Sequence, residues 1–234
     1  MTGEPVVTAE TYARWRASTL GSITERVESN VVFALAGPLA GKRVLDVGTG
    51  DGTYAIEAAT RGALATALDS EQQMLDAARA RAEERGHSIT LRRGRAEELP
   101  FDDASFDVVL AVTVLCFVPE ATTAVREMAR VLVPGGRLLL GELGRYSVWA
   151  AERRVRAWLG ASTWRRAHFW TRGELASIVE ESGLRVTAIR GSVFFPPSQL
   201  AARAVAPLEP LLSRIHAPGA AFLAIAADMP EIQR

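Results

Sequence analysis

The chain has 234 residues, 48% apolar and 23% charged, which excludes intrinsic disorder and a coiled coil and leaves enough length for a substantial core. Its 27 basic residues balance its 27 acidic ones, so no global charge draws it toward nucleic acid. One cysteine, Cys116, and three scattered histidines, His87, His168 and His216, exclude an intramolecular disulfide and leave no expected metal site.

The N-terminal MTGEPVVTAE lacks the basic and apolar regions of a signal peptide, and no run reaches the ~18 apolar residues of a membrane span. A cytoplasmic protein is expected. Tyr12, Trp15, Leu20, Ile23, Val27, Val31 and Leu35 recur at spacings of three to five, which predicts a helix over 8–36 that Gly37 and Pro38 end. Residues 1–40 are therefore expected as an N-terminal helical cover, and 41–234 as one domain. RVLDVG is a strand opening into a glycine turn, followed by the helical TYAIEAATRG with Gly62 as its C-cap. Strand Ala65–Asp69, helix Glu71–Glu84, strand SITLRRG and the β-branched strand Phe106–Leu115 continue the alternation. Helix Glu120–Leu132, stopped by Pro134-Gly135-Gly136, leads to strand Arg137–Leu143. This cadence predicts a doubly wound α/β fold with a parallel sheet covered on both faces.

Residues 144–170 break the rhythm with four of the five tryptophans and six arginines, as expected of a helical cap inserted after the fifth strand. Helix TRGELASIVEESG and strand LRVTAIRGSVFF follow, then a proline-punctuated helix and a last strand, Ala220–Ala227. Periodicity alone leaves the orientation of these last two strands open.

The turn in LDVGTGDG carries the chemistry. No lysine follows Gly52, so it is not a P-loop. Thr53 stands where a dinucleotide fingerprint needs its third glycine, and Asp46 would face a pyrophosphate with its own negative charge. S-adenosylmethionine carries an ammonium and a sulfonium, which an acid near the turn attracts. Asp69, ending the second strand, can accept from both ribose hydroxyls, although that spacing also suits a dinucleotide.

Four segments in this order, VLDVGTGDG, Asp69 with SEQQMLDAAR, GRAEELPFDDASFDVV and REMARVLVPGGRLLL, resemble the class I S-adenosylmethionine-dependent methyltransferases. They are most similar to the branch that includes the ubiquinone and menaquinone biosynthesis enzymes. The resemblance implies a Rossmann-like, seven-stranded, mostly parallel sheet of order 3-2-1-4-5-7-6 with the seventh strand antiparallel. It implies that Asp46, Gly48, Thr49, Gly50 and Gly52 hold the methionyl end of the donor, with Asp69 and Ser70 at the ribose. Met74 and Ala96 would contact the adenine, Thr113 would floor the site, and Tyr12 and Trp15 would close over it. Met74 reads equally well as core filler, and Tyr12 and Trp15 as packing residues. Two departures stand out. Arg95 replaces the usual acid before Ala96 and has only donors, leaving Glu97 as the substitute acceptor, and Phe117 stands where many relatives carry a histidine.

Candidate proton acceptors are His168, Glu142 and Tyr146, whereas Cys116, in an apolar run, reads as a buried thiol. The arginines at 153, 154, 156, 165 and 166 form either a solvated face or an anion-binding patch. The expected partner is a small, apolar or aromatic methyl acceptor, with the protein a monomer or homodimer and surface association with a membrane open. RNA or protein methylation, a non-catalytic donor-binding protein and a nicotinamide oxidoreductase are the competing readings.

Overall fold

The structure, a computed structural model, describes residues 9–231. Residues 1–8 of the expected cover, including the first residue of the expected helix 8–36, lie outside the described residues, as do 232–234. That helix is two: α1 (Ala9–Ala17) and α2 (Thr19–Ala36). Ser18 breaks them by taking an extended conformation and accepting from the Gly21 amide as the N-cap of α2. Gly21 is required there, because a Cβ would stand 1.9 Å from the Trp15 carbonyl oxygen. The five-residue step from Trp15 to Leu20 is the trace of this break in the sequence.

Strands β1 (Arg43–Val47), β2 (Leu64–Asp69), β3 (Thr90–Arg93), β4 (Phe106–Val112), β5 (Leu132–Leu143), β6 (Arg185–Ser192) and β7 (Phe222–Asp228) form one sheet of order β3-β2-β1-β4-β5-β7-β6. β7 runs antiparallel to both β5 and β6, and the remaining pairs are parallel. The order and the antiparallel strand are those the resemblance implies.

Helices α3 (Thr53–Thr60), α4 (Gln72–Glu84), α5 (Ala121–Arg130), α6 (Val148–Trp158), α7 (Ser162–Arg166), α8 (Arg172–Glu181), α9 (Gln199–Val205) and α10 (Glu209–Arg214) complete the chain. Both faces of the sheet are buried, as parallel strands require. One face packs with Met128 of α5 and Leu175 and Val179 of α8. The other packs with Val32 and Phe33 of α2, Tyr54 and Ala58 of α3 and Ala202 of α9. Each large apolar side chain buried in these layers stabilises the fold by roughly 1.5–3 kcal/mol. α2 is thus part of a covering layer of the sheet, and α1 lies beyond it.

Two strand boundaries differ from expectation. β5 starts at Leu132, and Pro134-Gly135-Gly136 sits within it as an irregularity where the register to β4 shifts. β4 stops at Val112 because Thr113 takes a positive φ of 55°, turning the next amides away from the ladder. α6 and α7 occupy the expected insertion. α6 starts on Ser147, which accepts from the Ala150 amide, and α8 starts on the capping box of Thr171 and Glu174. Among the described residues no helix is long and apolar enough to cross a membrane, and no cluster of metal-ligating side chains occurs.

Candidate active site

The carboxyl ends of β1, β2 and β4 meet where an open α/β sheet receives its ligand. The turn after β1 is built from positive-φ glycines: Gly48 at 65°, Gly50 at 55° and Gly52 at 83°. Gly48 and Gly50 are needed for different reasons. A Cβ on Gly48 would meet Val114 Cγ2 at 2.5 Å, so this glycine lets the loop after β4 close against the turn. A Cβ on Gly50 would meet nothing within 4 Å, so its face is the open one, where a ligand can approach backbone.

The two acids have distinct environments. Asp46 is 2% exposed, and its Oδ2 accepts from Thr49 Oγ1 at 2.6 Å and from the Ala55 amide at 3.0 Å. Burial pushes its carboxyl up to about 7, partly offset by those two bonds. Oδ2 thus serves the turn itself. Asp69 is half-buried and accepts from the Gly50 amide at 2.8 Å on Oδ2 and from the Glu71 amide at 3.0 Å on Oδ1. Burial raises its carboxyl above the usual range, with those bonds opposing. Each oxygen retains a further lone pair for a hydroxyl donor.

Ser70 is exposed beside Asp69, and its carbonyl accepts from Arg93 Nε. Met74 is half-buried on α4. Ala96 is buried next to Glu97, whose carboxylate pairs with Arg95 at 2.8 Å. The guanidinium therefore occupies the acid that was expected to substitute for it. Thr113, in its strained backbone, donates from Oγ1 to the Val112 carbonyl.

Sequence reasoning missed Asp51. It is 3% exposed and pairs with Arg16 of α1 and, at 3.0 Å, with Arg81 of α4. Arg81 also donates to Thr53 Oγ1 at 2.6 Å, and Glu25 of α2 lies 3.9 and 3.8 Å from the two guanidiniums. The glycine turn is thereby tied to α1, α2 and α4. Asp51→Ala leaves two guanidiniums facing each other without their shared carboxylate. A loss of about 3 kcal/mol is expected, with α1 becoming the first site of limited proteolysis. A melting curve and a cleavage pattern like those of the unaltered protein would contradict it.

The expected proton acceptors separate on inspection. Tyr146 is 75% exposed and lines neither of the two cavities described. Glu142 is fully buried and accepts from the Val114, Leu115 and Cys116 amides at 3.1, 2.8 and 3.1 Å. It fixes the loop after β4, with both oxygens engaged. His168 is exposed, packs edge-on against Trp170 at 4.3 Å and lines a cavity of about 810 Å³ with Cys116, Phe117, Arg166 and Glu174. Its partial burial lowers it below the ordinary imidazole range, so it is neutral near pH 7. Cys116 is a buried thiol held well above its ordinary value by burial.

The tryptophan-rich insertion divides. Trp149 is buried, donates from Nε1 to the Phe195 carbonyl at 2.8 Å, and meets Trp15 of α1 edge-to-face at 5.8 Å. Arg153 lies over the rings of both Trp149 and Trp164, at 5.1 and 4.5 Å. Trp158, by contrast, is 86% exposed. The helical cover and the insertion therefore touch through aromatic rings.

This sheet order, with its glycine turn and the acid ending the second strand, defines an S-adenosylmethionine-dependent methyltransferase. The Methyltransferase domain family matches residues 45–140. The chain is 33% identical over 173 residues to a ubiquinone biosynthesis O-methyltransferase of Bordetella avium, covering 71% of each chain. It is 35% identical over 165 residues to the protein of that name from Idiomarina loihiensis, covering 68% of each. A solved S-adenosylmethionine-dependent methyltransferase of Thermotoga maritima shares the fold with a TM-score of 0.73 and 24% identity, covering 94% of this chain and 95% of that one. The chain belongs to the S-adenosylmethionine-dependent methyltransferase family, and S-adenosylmethionine is its methyl donor.

Proposed function

We propose that this enzyme methylates a hydroxyl oxygen of a small, apolar aromatic molecule. The observation that carries the reading is the cavity of about 810 Å³ beyond the end of β4, lined by Leu115, Phe117, Val118 and Trp170 together with His168 and Glu174, which suits a flat apolar acceptor. The names of the Bordetella and Idiomarina relatives support oxygen as the atom methylated.

In this reading the open face of Gly50, with Gly48, Thr49, Gly52, Asp69 and Ser70, receives the ribose and methionyl parts of the donor. Asp46 acts by holding that turn. Met74, Ala96 and Glu97 border the adenine, Thr113 floors the site, and Tyr12 and Trp15 close it. The bound donor supplies an electrophilic methyl carbon on a sulfonium whose thioether leaves without protonation. The chain's own work is to orient the acceptor and exclude water.

Calorimetry with S-adenosylhomocysteine, followed by transfer of label from S-adenosylmethionine to a panel of hydroxylated aromatics, tests the proposal. Micromolar binding and label on oxygen are expected. Label appearing only on RNA or protein would replace this reading, as would binding without transfer to any acceptor in a cell extract.

A further inference from the structure

The cavity beyond β4 is lined by the loop after that strand and by residues of the span 166–178. Backbone contacts fix both walls: the His168 amide donates to the Cys116 carbonyl at 2.8 Å, and the Trp170 amide to the Leu143 carbonyl at 2.8 Å. At the root of the loop Val114 stands against Gly48, so closely that a Cβ there would meet it at 2.5 Å. The cavity is thus joined to the glycine turn through the loop whose amides Glu142 holds.

The polar groups on its wall are of one kind. Trp170 is 7% exposed, and its Nε1 is a buried donor with no acceptor among the described residues, a costly arrangement in a folded protein. His168 packs edge-on against that indole, with ring centroids 4.3 Å apart. Arg145 Nη2 stands 3.3 Å from His168 Nε2. A guanidinium has only donors, so Nε2 is the acceptor, the neutral ring carries its proton on Nδ1, and the one polar atom left to the imidazole is a donor. Arg166 lines the cavity with no carboxylate within 4 Å among the described residues. Glu174, the one carboxylate on the wall, is already engaged: Oε1 pairs with Arg145 at 2.7 Å, and Oε2 accepts from the Thr171 amide at 2.8 Å.

The wall therefore offers donors from Trp170, His168 and Arg166 and no free carboxylate, set among apolar side chains. An amine would find no anion to meet it, and a bare hydrocarbon ring would leave the Trp170 N–H orphaned. We infer that this cavity binds a carboxylate, and that the methyl acceptor is an aromatic compound carrying one in addition to its hydroxyl. Trp170 and Arg166 set that specificity, and His168 serves as a donor rather than as the base that takes the hydroxyl proton. This rests on the methyl-transfer reading above. Hydrogen bonds from these groups to a charged oxygen are stronger than those to a neutral one, and the apolar walls limit competition from water.

Calorimetry on the full chain saturated with S-adenosylhomocysteine tests the carboxylate site apart from methyl transfer, with 2-naphthoate and 2-naphthamide as probes that carry no hydroxyl. The naphthoate is expected to bind at least about 10-fold more tightly. Trp170→Phe keeps an aromatic ring and removes the N–H. It should weaken the naphthoate about 10-fold or more and the amide less, with unaltered affinity for S-adenosylhomocysteine showing that the variant is folded. Arg166→Gln should lose part of the preference and most of its dependence on salt. His168→Asn keeps a donor and cannot take a proton. It should retain most of the naphthoate affinity and, with 6-hydroxy-2-naphthoate and labelled S-adenosylmethionine, most of kcat. Equal affinity for the two probes, or equal weakening of both in Trp170→Phe, would overturn the inference. So would a loss of kcat of about 100-fold in His168→Asn, which would make the imidazole the base. Transfer to 2-naphthol with no preference for the hydroxynaphthoate would sink the carboxylate site and leave the methyl-transfer reading standing. A preference for naphthoate without transfer to any hydroxylated aromatic would keep the carboxylate site and remove the reading of oxygen methylation.

Discussion

Glu142→Ala is expected to destabilise the fold by about 3–5 kcal/mol, enough to lower the melting temperature by roughly 10 °C. The cause is geometric. Three consecutive amides, those of Val114, Leu115 and Cys116, point at one fully buried carboxylate, and alanine orphans all three. Glu142→Gln is the informative partner. Its amide oxygen can keep the place of Oε1, which serves Val114 and Leu115, and only the bond from Cys116 is lost, so about 1–2 kcal/mol is expected.

pH dependence distinguishes the two causes of that difference. Burial raises the Glu142 carboxyl to about 7, so the folded state holds this proton to higher pH than the unfolded chain does. The stability linked to that proton is present below the ordinary carboxylate range and is lost as pH rises through about 7. Glutamine never ionises, and the gap between the variant and the natural protein should therefore narrow from pH 5 to pH 8. Thermal melts across that range measure it. A gap that widens with pH would show that the ionised form is the better partner of the three amides.

Asp69→Ala is expected to weaken S-adenosylhomocysteine binding by about 1–3 kcal/mol, roughly 10–100-fold, with little change in the melting temperature of the unliganded protein. The carboxylate does two things at the donor site. It bonds the Gly50 amide, setting the open face of the turn, and in the proposed reading it offers its remaining lone pairs to the ribose. Asp69→Asn separates these functions, because it retains one acceptor for an amide but loses charge and half of the acceptor capacity. Since burial raises the Asp69 carboxyl, binding should also weaken on acidification earlier than an ordinary aspartate would allow. Unchanged calorimetric affinity in Asp69→Ala would remove it from the ribose.

The glycine turn and its acids were legible because they are written locally. A strand, a glycine turn and a helix follow one another within a few residues, and the acid that serves them ends the very next strand. The sheet order came from the family resemblance that these motifs carry, whereas the alternation of strands and helices by itself predicted a doubly wound parallel sheet and left the last two strands open. Glu142, Tyr146 and His168 were less tractable, because each is a plausible proton acceptor by residue type alone. Only burial and partners separate a carboxylate consumed by three amides from a solvent-facing phenol and a cavity-lining imidazole.

Arg95 illustrates the same limit in the opposite direction. Its lack of acceptors was plain from its chemistry, and Glu97 was the reasonable substitute, yet the two side chains pair with each other. Adjacent residues of opposite charge can satisfy one another before any ligand arrives. Their spacing carries no sign of it.

By itself, the sequence determined the class of fold, the position of the glycine turn and its acid, and the family. The fold class and the turn follow from periodicity and residue type over short stretches, where steric and hydrogen-bonding rules act between neighbours, and the family from the resemblance that four short motifs carry. Tertiary structure alone decided that Asp51 binds Arg16 and Arg81 and that Trp15 meets Trp149. These partners lie far apart in the chain. They meet only because α1 and α2 at one end and the insertion after β5 are folded over the same end of the sheet. Charge and burial at that junction depend on distances that no local pattern encodes.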